Sequence, residues 1–179
     1  MLRTERACLV AVLLAGLCGS PGQAAGVRDQ PWPESQQGLG LDADGFDSWA
    51  DAHAALPAKV VVTPPPAGTP KAIREYSGIW SGWICPHRST DLKVAFTKVG
   101  AKAAAATVAW AETDAKRGNA AWPLKRAGDE FRRQGNDVLY KFRLRALDDV
   151  RAGLPVMDVM RILADGSVCA GVLRKDSAK

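Results

Sequence analysis

The chain has 179 residues, with 24 basic and 19 acidic side chains and a formal net charge of +5. This length allows one domain of ordinary size, and 17 glycines and 11 prolines spread along the chain favour an all-β fold over a helical one. The charge is unevenly divided, because residues 26–70 hold two basic and six acidic residues whereas residues 71–179 hold 20 and 12. The basic part could meet an anionic partner, fold against its own acidic segment, or simply gain solubility.

Residues 1–25 have the layout of a secretory signal peptide. Arg3 and Arg6 supply the positive start, and an apolar run ends at Cys18, too short for a bilayer span of roughly 20 residues. Lipid attachment at Cys18 would need a small residue before it, where Leu17 stands. We therefore expect a periplasmic or secreted protein without a membrane span; an uncleaved anchor is the alternative.

Residues 26–70 have the composition of a linker rather than of a core. Proline-rich stretches at 31–33 and 63–70 favour extended spacers. Between them, Asp47 is a suitable cap for one short helix ending near Leu56, which is marginal on its own at this length. We interpret residues 26–70 as a flexible acidic tether that contributes little to the core, and residues 71–179 as the folded domain.

Short alternating segments predict β-strands in the folded domain. Residues 90–97 alternate between apolar and other side chains, as a half-buried strand does. Residues 103–112 are rich in alanine and would also suit a helix, but Thr107, Val108 and the flanking turns favour a strand. Residues 112–121 are expected to be a polar loop. Together with the segments below, the pattern predicts an antiparallel up-and-down barrel of seven or eight strands.

The clearest hairpin joins residues 128–134 to residues 138–145 through a Gly135-Asn136 turn of type II′. This turn would place Phe131 opposite Tyr140. The predicted inward side chains are Val138, Tyr140, Phe142 and Leu144, and the predicted outward basic side chains are Arg132, Lys141, Arg143 and Arg145.

The first and last strands, residues 76–85 and 167–174, are expected to meet and close the barrel. Removal of the signal peptide would leave two cysteines, Cys85 and Cys169, and export permits oxidation. We predict a disulfide between them; two separate buried thiols are the alternative. If the cysteines lie directly opposite each other, Trp80 pairs with Arg174, although a true contact offset by one residue is geometrically easier.

The Gly78-Ile79-Trp80 sequence that opens the first strand, together with Arg174 late in the last, resembles the Gly-x-Trp opening and packed arginine of lipocalin-like (calycin) barrels. The resemblance implies that Trp80 and Arg174 form a structural floor through a cation–π contact. Similar small exported bacterial barrels are inhibitors or have no assigned function. The chain lacks a recognisable second or third lipocalin motif, and its strands look short, which argues against a large cavity.

The leading functional hypothesis is an exported, non-enzymatic binding module of the bacterial envelope. It would bind an anionic polymer, an acidic protein or a small ligand at its basic outer face or at the barrel mouth. An inhibitor of a secreted hydrolase, acting through the tether or the loop 86–90, is the second hypothesis. Nucleic acid is not an expected partner. The candidate contact residues are Trp122, Lys125, Arg126, Arg132, Lys141, Arg143 and Arg145.

An enzyme with a cryptic site is the third hypothesis. A nucleophilic pair of Cys85 and His87 would need a free thiol. We find no set of three or four ligands for zinc and no phosphate-binding glycine loop, and the acidic residues near Asp42 depart from the calcium-loop pattern. We therefore predict no cofactor and no metal.

Overall fold

A computed structural model describes residues 27–32, 53–85, 89–112, 116–145 and 155–176. Eight antiparallel strands follow one another around a closed barrel, so each strand pairs with its neighbours in the chain and β1 pairs with β8. A short helix, α1, lies directly before β1. The predicted all-β closed barrel is therefore confirmed, with eight strands. The elements are α1 Lys71–Arg74, β1 Gly78–Ile84, β2 Thr90–Val99, β3 Ala103–Glu112, β4 Arg117–Ala127, β5 Glu130–Gln134, β6 Val138–Leu144, β7 Val156–Leu163 and β8 Val168–Lys175.

Aromatic side chains fill one end of the barrel, where β1 begins. Tyr76, between α1 and β1, packs edge-on against Phe131 with ring centroids 4.9 Å apart. Its hydroxyl donates to the Asp129 carbonyl at 2.7 Å and accepts from the backbone N–H of Leu144 at 3.2 Å. Burial raises the pKa of Tyr76 to about 12. Phe96 and Phe142 complete the cluster, so packed rings fill this end of the barrel. We call it the floor.

The closing pair, β1 and β8, lies one residue away from the predicted register. Trp80 pairs with Lys175 and Ser81 with Arg174, and the backbone N–H of Cys85 donates to Ala170. The predicted opposition of Trp80 and Arg174 is therefore wrong. Cys85 leaves the strand with a φ of 76°, so the chain turns there and the cysteines meet diagonally.

The Cys85–Cys169 disulfide itself is present, with a Cα–Cα distance of 4.6 Å. It joins the two strands that close the barrel, at the end opposite the floor. A disulfide of this kind persists in an oxidising compartment. It also removes the free thiol that a Cys85–His87 nucleophilic pair would need.

Two further sequence expectations are corrected by the strand pairing. Residues 117–121, expected in a loop, belong to β4 and pair with β3 in continuous register. The β5–β6 hairpin is shifted by two positions, because Phe131 pairs with Phe142 and the turn lies at Asn136 and Asp137. A shift by two keeps the strand faces unchanged. Tyr140, Phe142 and Leu144 therefore pack towards the core as predicted.

The described parts of the predicted tether lie against the outside of the barrel. Val27 is buried with Leu139, Met160 and Ile162 on the outer face of β6 and β7. Ala54 is buried against alanines on the outer face of β3, and the N–H of Thr63 donates to Thr97 in β2. These described segments of the tether thus bury a few side chains against the outside of the barrel.

The predicted signal peptide, most of the predicted helix and His87 lie outside the described residues. The described part of the chain contains no helix with the length and apolar character of a membrane span. Whether residues 71–179 fold without the preceding segment stays a prediction.

Candidate functional site

The barrel contains a cavity of about 280 Å³ at the end opposite the floor. This end carries the disulfide and the last residues of β1, β3, β5 and β7, and we call it the mouth. Strand alternation turns every lining side chain inward. The lining is mainly apolar and aromatic, with three charged side chains and one threonine: Ile84, Thr90, Leu92, Trp110, Glu112, Ala120, Trp122, Arg133, Val138, Tyr140 and Arg161.

Arg161 is the most unusual of these side chains, since it points into the barrel from β7. Its inward position follows the same alternation as Met157 and Val159, which belong to the core. One terminal nitrogen lies 3.2 Å from the sulfur of Cys85, and the other lies 3.9 Å from a carboxylate oxygen of Glu112. Its Nε is buried without a hydrogen-bond partner. The guanidinium is thus only partly satisfied, although its side chain is 21% exposed.

An aromatic wall lines the same cavity, and its Tyr140 lies directly opposite Arg161 in the pairing of β6 with β7. The rings of Trp122 and Tyr140 lie 4.6 Å apart between centroids. The guanidinium carbon of Arg133 lies 4.5 Å from the centroid of Trp122, a distance at which a cation interacts with the ring. Trp122, expected as an exposed contact residue, is instead only 6% exposed and lines the cavity. The predicted exposure of Trp122 is therefore wrong, but the residue does line the candidate site.

Trp110 forms a neighbouring part of the wall and depends on Gly118. The two residues pair across β3 and β4, and a side-chain Cβ at Gly118 would lie 2.5 Å from the indole ring. Only glycine therefore leaves room for the indole in its observed place. The described cavity lining has two arginines and one glutamate, so it carries a formal charge of +1.

The predicted basic outer face exists, but the structure neutralises much of it. Lys141 is 3% exposed, and its Nζ lies 2.9 Å from a carboxylate oxygen of Asp29 and 2.9 Å from the Gln30 carbonyl. Arg132 forms an ion pair with the same Asp29 at 2.7 Å and another with the buried Glu130. Burial tends to raise the pKa of Asp29, but Lys141 and Arg132 lower it on balance.

The remaining arginines of this face, Arg143 and Arg145, contact Trp32 and Asp158. The guanidinium carbon of Arg143 lies 4.4 Å from the Trp32 ring centroid, and the Trp32 indole donates to Glu130 at 2.6 Å. Arg145 donates from Nε to the buried Asp158 at 2.8 Å. Because these partners come from the tether and the barrel itself, the face is not a free cationic surface.

The other predicted contact residues, Lys125 and Arg126, are exposed near the end of β4. Lys125 pairs with Arg132, next to the basic face. Arg126 donates to the carbonyls of Gly128 and Ala101. Neither lines the cavity.

The predicted structural residues sit at the floor. The ammonium of Lys175 lies 5.3 Å from the Trp80 ring centroid. Gly78 has a φ of 128°, and a Cβ there would lie 2.9 Å from Lys175. Glycine is therefore required where β1 begins.

Arg161 and Arg133 were missed by the sequence analysis. β7 reads Val-Met-Asp-Val-Met-Arg-Ile-Leu and is buried on both faces, so apolar alternation does not identify an inner face. The inward position of Arg133 could have been predicted, because Arg133 lies two residues after Phe131 and residues two apart share a strand face. Phe131 was expected to pair with the inward Tyr140.

Comparison with models of protein families, with curated proteins and with solved structures finds no match for this chain. The fold is compatible with a calycin-like barrel, whereas lipocalin identity rests on the resemblance alone. Within the described part of the chain, no group of three or more histidine, cysteine, aspartate or glutamate side chains is placed to hold a metal ion.

Proposed function

We propose that the protein is an exported, non-enzymatic binding module that holds a small ligand inside the mouth of its barrel. The observation that carries the proposal is the partly satisfied Arg161 inside an otherwise apolar and aromatic cavity. Small-ligand sites are typically concave and apolar with a few polar groups that fix orientation. The volume of about 280 Å³ suits a ligand of one or two rings.

The barrel is built to keep this cavity open at one end only. The aromatic cluster around Tyr76 fills the floor, and the disulfide joins β1 to β8 beside the mouth. A disulfide beside the mouth supports an oxidising location, in keeping with the signal peptide expected from residues 1–25. We also propose that the barrel is lipocalin-like, on the resemblance of its Gly78-Ile79-Trp80 opening to the Gly-x-Trp motif of those barrels.

The basic outer face supports binding of an anionic polymer less well. Lys141, Arg132 and Arg145 already form ion pairs with Asp29, Glu130 and Asp158. The inhibitor hypothesis drew on the loop 86–90, of which residues 86–88 lie outside the described residues. Binding in the cavity is therefore the function that we put forward.

The experiment compares a substitution that fills the cavity with one on the outside of the same strand. Ala120 lines the cavity, whereas the adjacent Ala121 is exposed. Ala120→Phe should weaken binding of 2-naphthoate and of the neutral probe N-phenyl-1-naphthylamine at least tenfold, measured by quenching of tryptophan fluorescence. Ala121→Phe should leave both affinities unchanged. Failure of the wild-type protein to bind either probe, or equal binding by Ala120→Phe, would contradict the proposal.

A further inference from the structure

We infer that the ligand of the mouth is a carboxylate monoanion with a flat apolar body, its carboxylate paired with Arg161. This inference rests on the proposed function and adds the chemical class of the ligand. It follows from three features of the cavity: the unused donors of Arg161, the formal charge of the lining, and the arrangement of the aromatic rings.

The donors of Arg161 require an acceptor that the described residues do not supply. A buried guanidinium N–H without a partner costs free energy, because water no longer satisfies it. The disulfide sulfur is a weak acceptor, and Glu112 at 3.9 Å is beyond hydrogen-bond distance. A planar carboxylate matches the fork of a guanidinium through two parallel hydrogen bonds. A ligand of this class would therefore satisfy the group that the fold leaves incomplete.

The charge of the cavity favours a single negative charge. Arg133 and Arg161 contribute two positive charges, and Glu112 offsets one of them. A monoanion would bring the described lining to neutrality, whereas a dianionic phosphate would leave a net negative charge in a confined space. Burial of an uncompensated charge is expensive. Within the described part of the chain, Arg133 has no carboxylate at ion-pair distance, so it adds to the positive field without competing for the ligand.

The rings determine the shape of the ligand body. Trp110, Trp122 and Tyr140 line the cavity from β3, β4 and β6, on strands across from Arg161 or next to it. Such rings favour flat partners, which they contact by stacking or edge-to-face packing. An aromatic carboxylate with its acid group at Arg161 would place its ring system against this wall.

The test uses the matched pair 2-naphthoate and 2-naphthamide, which share the ring system and differ in charge. Wild-type protein should bind the acid at least tenfold more tightly by calorimetry. Arg161→Gln should remove this preference with little effect on the amide, and Arg161→Lys should restore it only in part, because lysine keeps the charge without the fork. Arg117→Gln removes an exposed arginine of β4 and should leave the preference intact.

Glu112→Gln is the second variant, because its side chain is 40% exposed and its loss should not disturb folding. It should tighten binding of the acid and leave the amide unchanged. Equal wild-type affinities for acid and amide, both abolished by Ala120→Phe, would overturn the carboxylate inference while the binding function stands. A preference for the acid that survives Arg161→Gln would also overturn it. Binding of neither compound would remove the proposed function as well.

Discussion

At the scale of single residues, burial alters the chemistry of charged groups on the outside of the barrel as well as inside it. Asp91 lies on β2 and is 2% exposed, one of its oxygens has no partner, and the other lies 3.3 Å from Nδ1 of His53. Burial raises its pKa from 3.8 to about 6, although His53 acts in the opposite direction. The folded state therefore takes up a proton at Asp91 more readily than the unfolded chain.

Asp91→Asn should stabilise the protein near neutral pH. Because the folded pKa lies above the unfolded value, the stabilisation from protonation is complete below pH 3.8 and is lost as pH rises through 6. The asparagine variant should match the wild type at pH 3.5 and exceed it by about 1–3 kcal/mol at pH 7.5. Urea unfolding at both pH values measures this difference. An effect of equal size at the two pH values would argue against a buried carboxylate as its cause.

At the scale of elements, the closure of the barrel depends on close approach of β1 and β8. Gly82 and Gly171 lie in these strands, and a Cβ on either would lie about 2 Å from a backbone oxygen of the other strand, at Val172 and Trp83. Since backbone atoms cannot move aside as a side chain does, the two strands would have to separate. The glycines therefore permit the tight contact between the first and last strands.

Gly171→Ala should destabilise the barrel by roughly 2 kcal/mol or more, because it overpacks the closing pair. Gly100→Ala is the control, since its Cβ would lie 3.4 Å from the nearest atom at an ordinary φ. That variant should remain near the wild type. Chemical unfolding of both proteins with the disulfide intact provides the comparison. Equal stabilities would show that β1 and β8 are not as close as described.

The docked tether segment is the second element with a testable role. Residues 27–32 bring Asp29 and Trp32 onto the basic face, where they contact Lys141, Arg132 and Arg143. The combined variant Asp29→Asn, Trp32→Ala should uncover this face. It should lower the free energy of unfolding by about 1–3 kcal/mol, because the buried Lys141 and Glu130 lose their partners Asp29 and Trp32.

Uncovering the face should also create salt-sensitive binding to dextran sulfate, which the wild type should lack. Screening reaches about 8 Å at physiological ionic strength, so binding should fade between low salt and 0.15 M. Trp32→Phe alone keeps Asp29 and an aromatic ring, and serves as the matched control. Strong wild-type binding to the polymer would mean that the tether does not neutralise the face.

At the scale of the whole molecule, local sequence patterns were enough to predict the fold. They were not enough to predict the contacts between residues far apart in the chain. Alternation in β2 and β6, together with the cysteine count, was enough for a closed barrel with a disulfide between its terminal strands. The predicted register of β1 and β8 was wrong by one residue. Cys85 has a left-handed backbone conformation, which a cysteine in the sequence does not indicate. β4 was missed because its alanines and asparagine have low strand propensity and are held by pairing with β3.

The candidate site was harder to predict than the fold. Trp122 was noticed as an aromatic near basic residues, but its exposure depended on the loop that proved to be β4. Arg161 lies in a strand that is apolar on both faces, because the tether covers the outside of β7 with Val27. The inner face of β7 could therefore be assigned only once the tether had been placed.

The tryptophan indole N–H groups allow one measurement to test where a ligand binds. Trp110 and Trp122 line the mouth, Trp80 donates to the Tyr76 carbonyl near the floor, and Trp32 donates to Glu130 beneath the tether. Each resonance can be assigned by a single tryptophan-to-phenylalanine substitution. A ¹H–¹⁵N titration with 2-naphthoate should shift the Trp110 and Trp122 signals and leave Trp80 and Trp32 in place. Shifts confined to Trp32, with the two mouth signals unchanged, would place the ligand on the outer face and contradict the account.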